Sequence, residues 1–216
     1  MFIRKTRKYG KVLEEKTISL KRPIFVFGAH GSGKTHWLTR LYEHSALIWG
    51  SKIKAEALYL SALTPISAWV DGGPVGAWWD QADPNGNGAR WSKLKAFEKV
   101  NALPRYVAET GAVVFLDDAH KLSGRKLDVA KRCLMPAKVW VVSANQENRI
   151  PPNLRVVLSG SNPQIYKLSS DVAYDMTSIL MWGLIALLVA GGMWELALVV
   201  GGAKALASGR RAAKQD

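Results

Sequence analysis

The chain is 216 residues long, 48% hydrophobic and formally +13 at pH 7. That length suits one globular domain with residues to spare, and that apolar share excludes wholesale disorder. The single cysteine, Cys133, excludes an internal disulfide and fits a reducing compartment, while the charge points to phosphate-rich partners, nucleic acid or anionic lipid.

Residues 1–22 read as a basic arm. Arg4, Lys5, Arg7, Lys8, Lys11, Lys16, Lys21 and Arg22 face only Glu14 and Glu15 there, and a short strand is expected near Ile18. The arm runs into polar residues, not into an apolar stretch with a cleavage site, so it does not read as a secretory leader. PIFVFG, 23–28, is a β-rich apolar run closed by glycine and is expected as a buried strand. Residues 34–44 put Trp37, Leu38 and Leu41 on one face at helical spacing. ALIWG, 46–50, is expected as a second buried strand.

Residues 64–91 are broken by Pro65, Gly72, Gly73, Pro74, Gly76, Pro84, Gly86 and Gly88, with Trp69, Trp78, Trp79 and Trp91 among them. They read as a long loop or insertion. A helix over 92–109, disturbed at Pro104, leads to the fully apolar strand AVVFLD, 112–117. A basic helix over 123–135 carries Cys133 as a packed thiol. KVWVVS, 138–143, and RVVLS, 155–159, are expected as further strands. Strands apolar on both faces, alternating with helices, mean an α/β fold with a mostly parallel, helix-covered sheet. The expected organisation is an arm over 1–22, a P-loop nucleoside triphosphatase domain over 23–170, and a hydrophobic helical segment with a basic tail over 171–216.

The chemistry begins at residues 28–35, GAHGSGKT, which match G-x-x-x-x-G-K-[ST] at every fixed position, with a strand before and a helix after. Gly28, Ala29, His30, Gly31, Ser32 and Gly33 supply a loop whose backbone N–H groups turn inward on phosphate oxygens, with the helix N-terminus behind them. His30 holds a variable position and has no side-chain role. Lys34 places charge between the β- and γ-phosphates, and Thr35 offers a hydroxyl to Mg²⁺. In VVFLDD, the strand ends on Asp117, expected to hold Mg²⁺ through water, and Asp118, expected to polarise the attacking water. Ser143, Asn145 or Gln146 would tip the strand beside it; Asn145 is preferred for contact with the γ-phosphate or the lytic water. Arg155, just before the expected last strand, and Arg149 are candidates to reach a neighbouring subunit's nucleotide.

Together these parts, over about residues 22–160, resemble the additional-strand ATPases, which include the AAA+ proteins, the FtsK-HerA motors and viral packaging or assembly ATPases. The resemblance implies ATP and Mg²⁺ as ligands, hydrolysis of ATP and a homo-oligomer. A helical AAA+ lid is not evident where the resemblance would place it, and a hydrophobic segment stands there instead. Residues 176–194, MTSILMWGLIALLVAGGMW, carry no charge; as a helix they would be about 28 Å long, close to the hydrocarbon thickness of a bilayer. A single crossing competes with a re-entrant hairpin turned at Gly191-Gly192, and with a helical hairpin packed in a soluble protein.

A P-loop domain, a basic arm and such a segment resemble two phage families: filamentous-phage assembly ATPases related to zonula occludens toxin, and packaging ATPases of membrane-containing icosahedral phages. The resemblance implies a membrane-associated motor with its ATPase domain in the cytoplasm. Its expected partners are DNA and phage structural proteins, in a host inner membrane or virion membrane. The rival reading is a membrane-tethered AAA+-like switch that recruits a partner. A small-molecule kinase would have no use for the arm or the tail. In the motor, the four tryptophans stack on unpaired bases; in the alternative they pack the insertion onto the sheet.

Overall fold

The computed structural model describes residues 21–168 apart from 52, 54, 72 and 87, then 184–185, 187–193 and 195–196, with residues 2–6 and 12–17 described by their backbone course. The chain divides into two compact units, Met1–Ser170 and Asp171–Asp216. In the arm, β1 (Phe2–Thr6) and β2 (Val12–Thr17) form an antiparallel ribbon. Its register sets Arg4 opposite Glu15 and Lys5 opposite Glu14, so both acids of the arm stand across from bases. The strand expected near Ile18 ends at Thr17.

A second sheet holds β3 (Ile24–Gly28), β4 (Leu58–Ser61), β5 (Val114–Asp117), β6 (Trp140–Ala144) and β7 (Gln164–Leu168). Its order is β4-β5-β6-β3-β7, every pair parallel. Such a sheet needs cover on both faces, and β3 shows it. Ile24 and Val26 pack with Leu38, Leu41, Trp49, Phe115 and Val141. Phe25 and Phe27 pack on the other face with Leu103, Leu116, Trp140, Val142 and Leu154. Each such side chain contributes about 1.5–3 kcal/mol by leaving water, which holds so short a strand in place.

The helices are α1 (Lys34–Glu43), α2 (Ser45–Trp49), α3 (Pro74–Ala82), α4 (Ala96–Thr110), α5 (Gly124–Leu134) and α6 (Pro152–Gly160). Helix α4 runs through Pro104, which is buried; Glu98 accepts the Lys95 N–H at 2.7 Å to close its first turn.

Two expectations fail for identifiable reasons. ALIWG is helix α2, not a strand: only Trp49 is buried and Leu47 is 85% exposed, a one-sided pattern that a doubly covered sheet cannot use. The edge place belongs to β4, which begins eight residues after ALIWG ends. RVVLS lies in α6, not in a strand. Pro151 and Pro152 begin that helix, Leu154 and Leu158 bury at a spacing of four, and Val156 stays exposed. The fifth strand is β7 instead. Finally, 64–91, expected as a long loop or insertion, is partly regular. It contains a 3₁₀ turn at Ile66–Trp69 and helix α3, with Pro74 in its first turn and Val75 and Trp79 buried at a spacing of four.

In the second unit, a helical stretch ends at the glycine pair: Met193 N–H donates to Leu188 O at 2.9 Å and Gly192 N–H to Val189 O at 3.1 Å. Among the described residues no helix is long and apolar enough to cross a membrane. The segment expected over 176–194 extends outside the described residues.

Candidate nucleotide site

The parallel registers bring the strand ends to one edge. Ser61 pairs in register with Asp117, Leu116 with Val142, Phe27 with Ala144, and Gly28 with Leu168. Loop 29–33 rises from the end of β3 into α1. Gly31 and Gly33 have φ of 78° and 81°, a region that side chains disfavour. Gly28 is required for a different reason: a Cβ there would stand 2.8 Å from Leu168 O and collide with Ser32 Oγ. Ser32 Oγ itself is buried without a hydrogen-bond partner among the described residues.

Lys34, 6% exposed, donates to Gly28 O and Ala29 O, each at 2.8 Å. Burial pushes its pKa down; the charges of Asp118 and Asp117 oppose this, and Lys121 adds to it. Thr35 follows as the second residue of α1 and is exposed.

Asp117 and Asp118 are both buried. Asp117 Oδ1 accepts the Ser143 hydroxyl, and also the Asp118 N–H at 3.0 Å; Oδ2 accepts the Tyr59 hydroxyl at 3.3 Å. Ser143 Oγ in turn accepts the Asp118 N–H at 3.0 Å. Burial, and next the Asp117 charge, raise the Tyr59 pKa to about 12, so this phenol remains a donor. The chain kinks at Asp118, with φ of 56°, and its Oδ2 meets Lys121 Nζ at 2.8 Å. Asp117 is thus locked in orientation, while Asp118 is held by one half-exposed lysine.

Asn145 follows the end of β6, its N–H donating to His120 Nδ1 at 3.4 Å. A cleft of about 890 Å³ opens beside the loop, between Gly28–His30, the 145–149 loop and the end of β7; Arg149 and Lys167 add positive charge to its lining. Arg155 is not where the sequence placed it. It stands in α6, and its Nη2 donates to Asn148 O at 2.7 Å and Ile150 O at 3.2 Å, so it braces the loop of its own chain. Of the two arginines, Arg149 is the one exposed at the cleft.

The structure therefore gathers Gly28–Thr35, Asp117, Asp118 and Asn145 at one sheet edge. The sequence missed Tyr59, because β4 was not recognised, and it missed Lys121 and His120, which follow the aspartates. Ser143, one of three alternatives for the strand tip, proves to be the residue that holds Asp117. The loop fits a phosphate chain: the closed cradle at Gly28, the orphan Ser32 hydroxyl and a buried amine held only by carbonyl oxygens all call for an anion. Among the described residues no cluster of three His, Cys, Asp or Glu could hold a metal by itself. A magnesium ion here would need the nucleotide's own oxygens besides Thr35 and Asp117.

In the sheet order, β6 stands between the P-loop strand β3 and the aspartate strand β5. This is the order that the resemblance to the additional-strand ATPases implies.

No protein-family model matches the chain, and no curated protein matches it. Solved structures similar to it include a DNA replication initiation factor, at 18% identity over 69% of this chain and 40% of that one, with a TM-score of 0.38. Cdc6p from Pyrobaculum aerophilum has 20% identity over 68% and 38%, with a TM-score of 0.39. The Aeropyrum pernix ORC2 protein, in ADPNP-ADP complexes, has 13% identity over 74% and 45%, with a TM-score of 0.38. The chain spans less than half the length of each. None of these findings singles out the FtsK-HerA or zonula occludens toxin-like families.

Proposed function

We propose that this chain binds and hydrolyses Mg-ATP. The observation that carries the reading is the convergence of the buried Lys34 amine, at the mouth of a phosphate cradle, with the carboxylates of Asp117 and Asp118 across an additional strand. The loop N–H groups and the N-terminus of α1 receive the phosphates. Lys34 exchanges its two carbonyl partners for β- and γ-phosphate oxygens. Thr35 and Asp117 hold magnesium, which neutralises charge on those oxygens when bound. Asp118 orients and polarises the attacking water, and Lys121 must yield for it to do so. Asn145 presents a polar group beside the same phosphates, and the adjoining cleft has room for base and ribose.

The test separates the two carboxylates. Asp118→Asn should leave Mg-ATP affinity within about twofold and slow turnover by about 10²-fold or more, the loss of a general base. If Asp118→Asn loses Mg-ATP affinity and Asp117→Asn does not, the assignment is wrong.

For the biological role we propose an oligomeric, membrane-associated ATPase of phage DNA packaging or virion assembly. The basic arm and the uncharged 176–194 stretch support it. A specific observation favours the rival switch that recruits a partner: two of the four tryptophans that the motor reading would stack on bases are packed into the fold. Trp69 and Trp79 are buried, and their ring N–H groups donate to Ser61 O and Ala89 O, each at 2.9 Å. Arg149, not Arg155, is then our candidate for a contact in trans. DNA-stimulated turnover would support the motor; turnover indifferent to DNA at low salt would support the switch.

A further inference from the structure

The short turn after Asp118, Ala119–Lys121, carries a histidine that the roles above leave unused. His120 faces two ways. Its Nδ1 accepts the backbone N–H of Asn145 at 3.4 Å, at the tip of β6. A ring nitrogen that accepts is unprotonated, so in the neutral ring the proton sits on Nε2. Burial favours that neutral form: it is the main cause lowering the pKa of His120, with Lys121, Lys34 and Arg149 adding to it and Asp118 alone opposing. Nε2 is shut off from solvent and has no hydrogen-bond partner among the described residues. A buried donor without an acceptor is rare in folded proteins and asks for an explanation.

The charges around the ring narrow what the acceptor is. Lys34, Lys121 and Arg149 are donors. Asp118, the one acid acting on the ring, is already engaged by Lys121 at 2.8 Å. What the ring lacks is an anionic oxygen, in the same field as the amine that the phosphate cradle holds. The other side of the ring is tied to the 145–149 loop, whose far end is braced by Arg155 through Asn148 O and Ile150 O. His120 is thus the link between the turn that carries Asp118 and the loop that lines the cleft.

We propose that His120 senses the terminal phosphate: its Nε2–H donates to a γ-phosphate oxygen, and its Nδ1 carries the presence of that phosphate to Asn145 and the 145–149 loop. This rests on reading the site as an ATP site. It makes His120 a residue that separates triphosphate from diphosphate, since ADP offers no oxygen at that place.

The test measures equilibrium binding of Mg-ADP and of a non-hydrolysable Mg-ATP analogue to the full chain, with backbone hydrogen exchange over 145–149. In the wild type, the analogue should slow exchange in that loop more than ADP does. His120→Ala should lose about tenfold or more in affinity for the analogue, as for a hydrogen bond to a charged group, and less than about twofold for ADP. The extra protection of 145–149 should vanish. The thermal midpoint of the nucleotide-free variant should fall slightly, because the Asn145 N–H loses its acceptor, and that loss weighs equally on the ADP and analogue measurements. His120→Gln keeps a donor N–H and should recover part of the discrimination; it also serves if the alanine variant does not fold. Equal losses for both nucleotides, or none for the analogue, would overturn the proposal while leaving the ATP site intact. Binding of neither nucleotide by the wild type would bring down the ATP reading itself, and this inference with it.

Discussion

Loop 28–35 and insertion 64–91 invite comparison. Both are glycine-rich, and both follow a parallel strand at the same edge of the sheet. They differ in what happens to their polar groups. In the first, Ser32 Oγ is orphaned and the Lys34 amine rests on two main-chain carbonyls. In the second, the groups close on each other. Asp80 accepts the Trp91 N–H at 2.7 Å, Asp83 accepts the Gly88 N–H at 3.1 Å, and Arg105 binds Asn85 at 2.8 Å and also the Pro84 carbonyl. Its aromatic rings pack edge-on or tilted in a chain from Tyr106 of α4 through Trp78 and Trp79 to Trp91. Composition made both look like binding loops. Buried polar groups are normally satisfied, so a loop whose hydrogen bonds close internally is scaffold, and one left with orphans awaits a ligand.

The comparison can be broken by swapping the expected consequences of substitution. The largest effect on folding belongs to the insertion. Trp79→Ala should cost about 3–5 kcal/mol in chemical unfolding, as for a buried Trp in a tight core, with turnover per folded molecule unchanged. A variant that folds normally but loses DNA-stimulated turnover would return the tryptophans to a binding role. Gly28→Ala comes next: the Cβ meets main chain on β7, so it should cost about 1–3 kcal/mol and lose nucleotide binding together. Ser143→Ala should keep the fold and raise the Mg²⁺ concentration needed for half-maximal turnover by about 10–100-fold, the usual price of freeing a metal-binding carboxylate. The smallest effect belongs to Cys133. It is buried, and burial raises its pKa to about 12. A thiol reagent at pH 8 should label it only when the chain unfolds; fast labelling of the native protein would contradict the packing of α5.

Legibility followed the same division. The phosphate loop was readable because its chemistry lies in eight consecutive residues, and β5 because its apolar run ends abruptly on two aspartates. The edge of the sheet was not. LYLS is only four residues long, and ALIWG nearby is a more hydrophobic run, so periodicity could not choose between them. In RVVLS the β-branched residues suggested a strand, although the proline pair before it is a helix-start signal that was available. Tyr59, Lys121 and His120 are a different case. Their places around the aspartates depend on the sheet order and on the kink at Asp118, which no local pattern announces. For the insertion the sequence left stacking and packing both open, because tryptophans that suit stacking on bases suit packing on α4 equally well.

The central claim is that the cradle at 28–35 exists for the phosphates of a nucleotide that this chain hydrolyses. Steady-state Mg-ATP hydrolysis by wild type and Lys34→Ala, both shown folded by circular dichroism, tests it most directly. We predict turnover by the wild type and a fall of about 10²–10³-fold in the variant, the scale set by removing one group that stabilises transition-state charge. Equal turnover in the two proteins would contradict it.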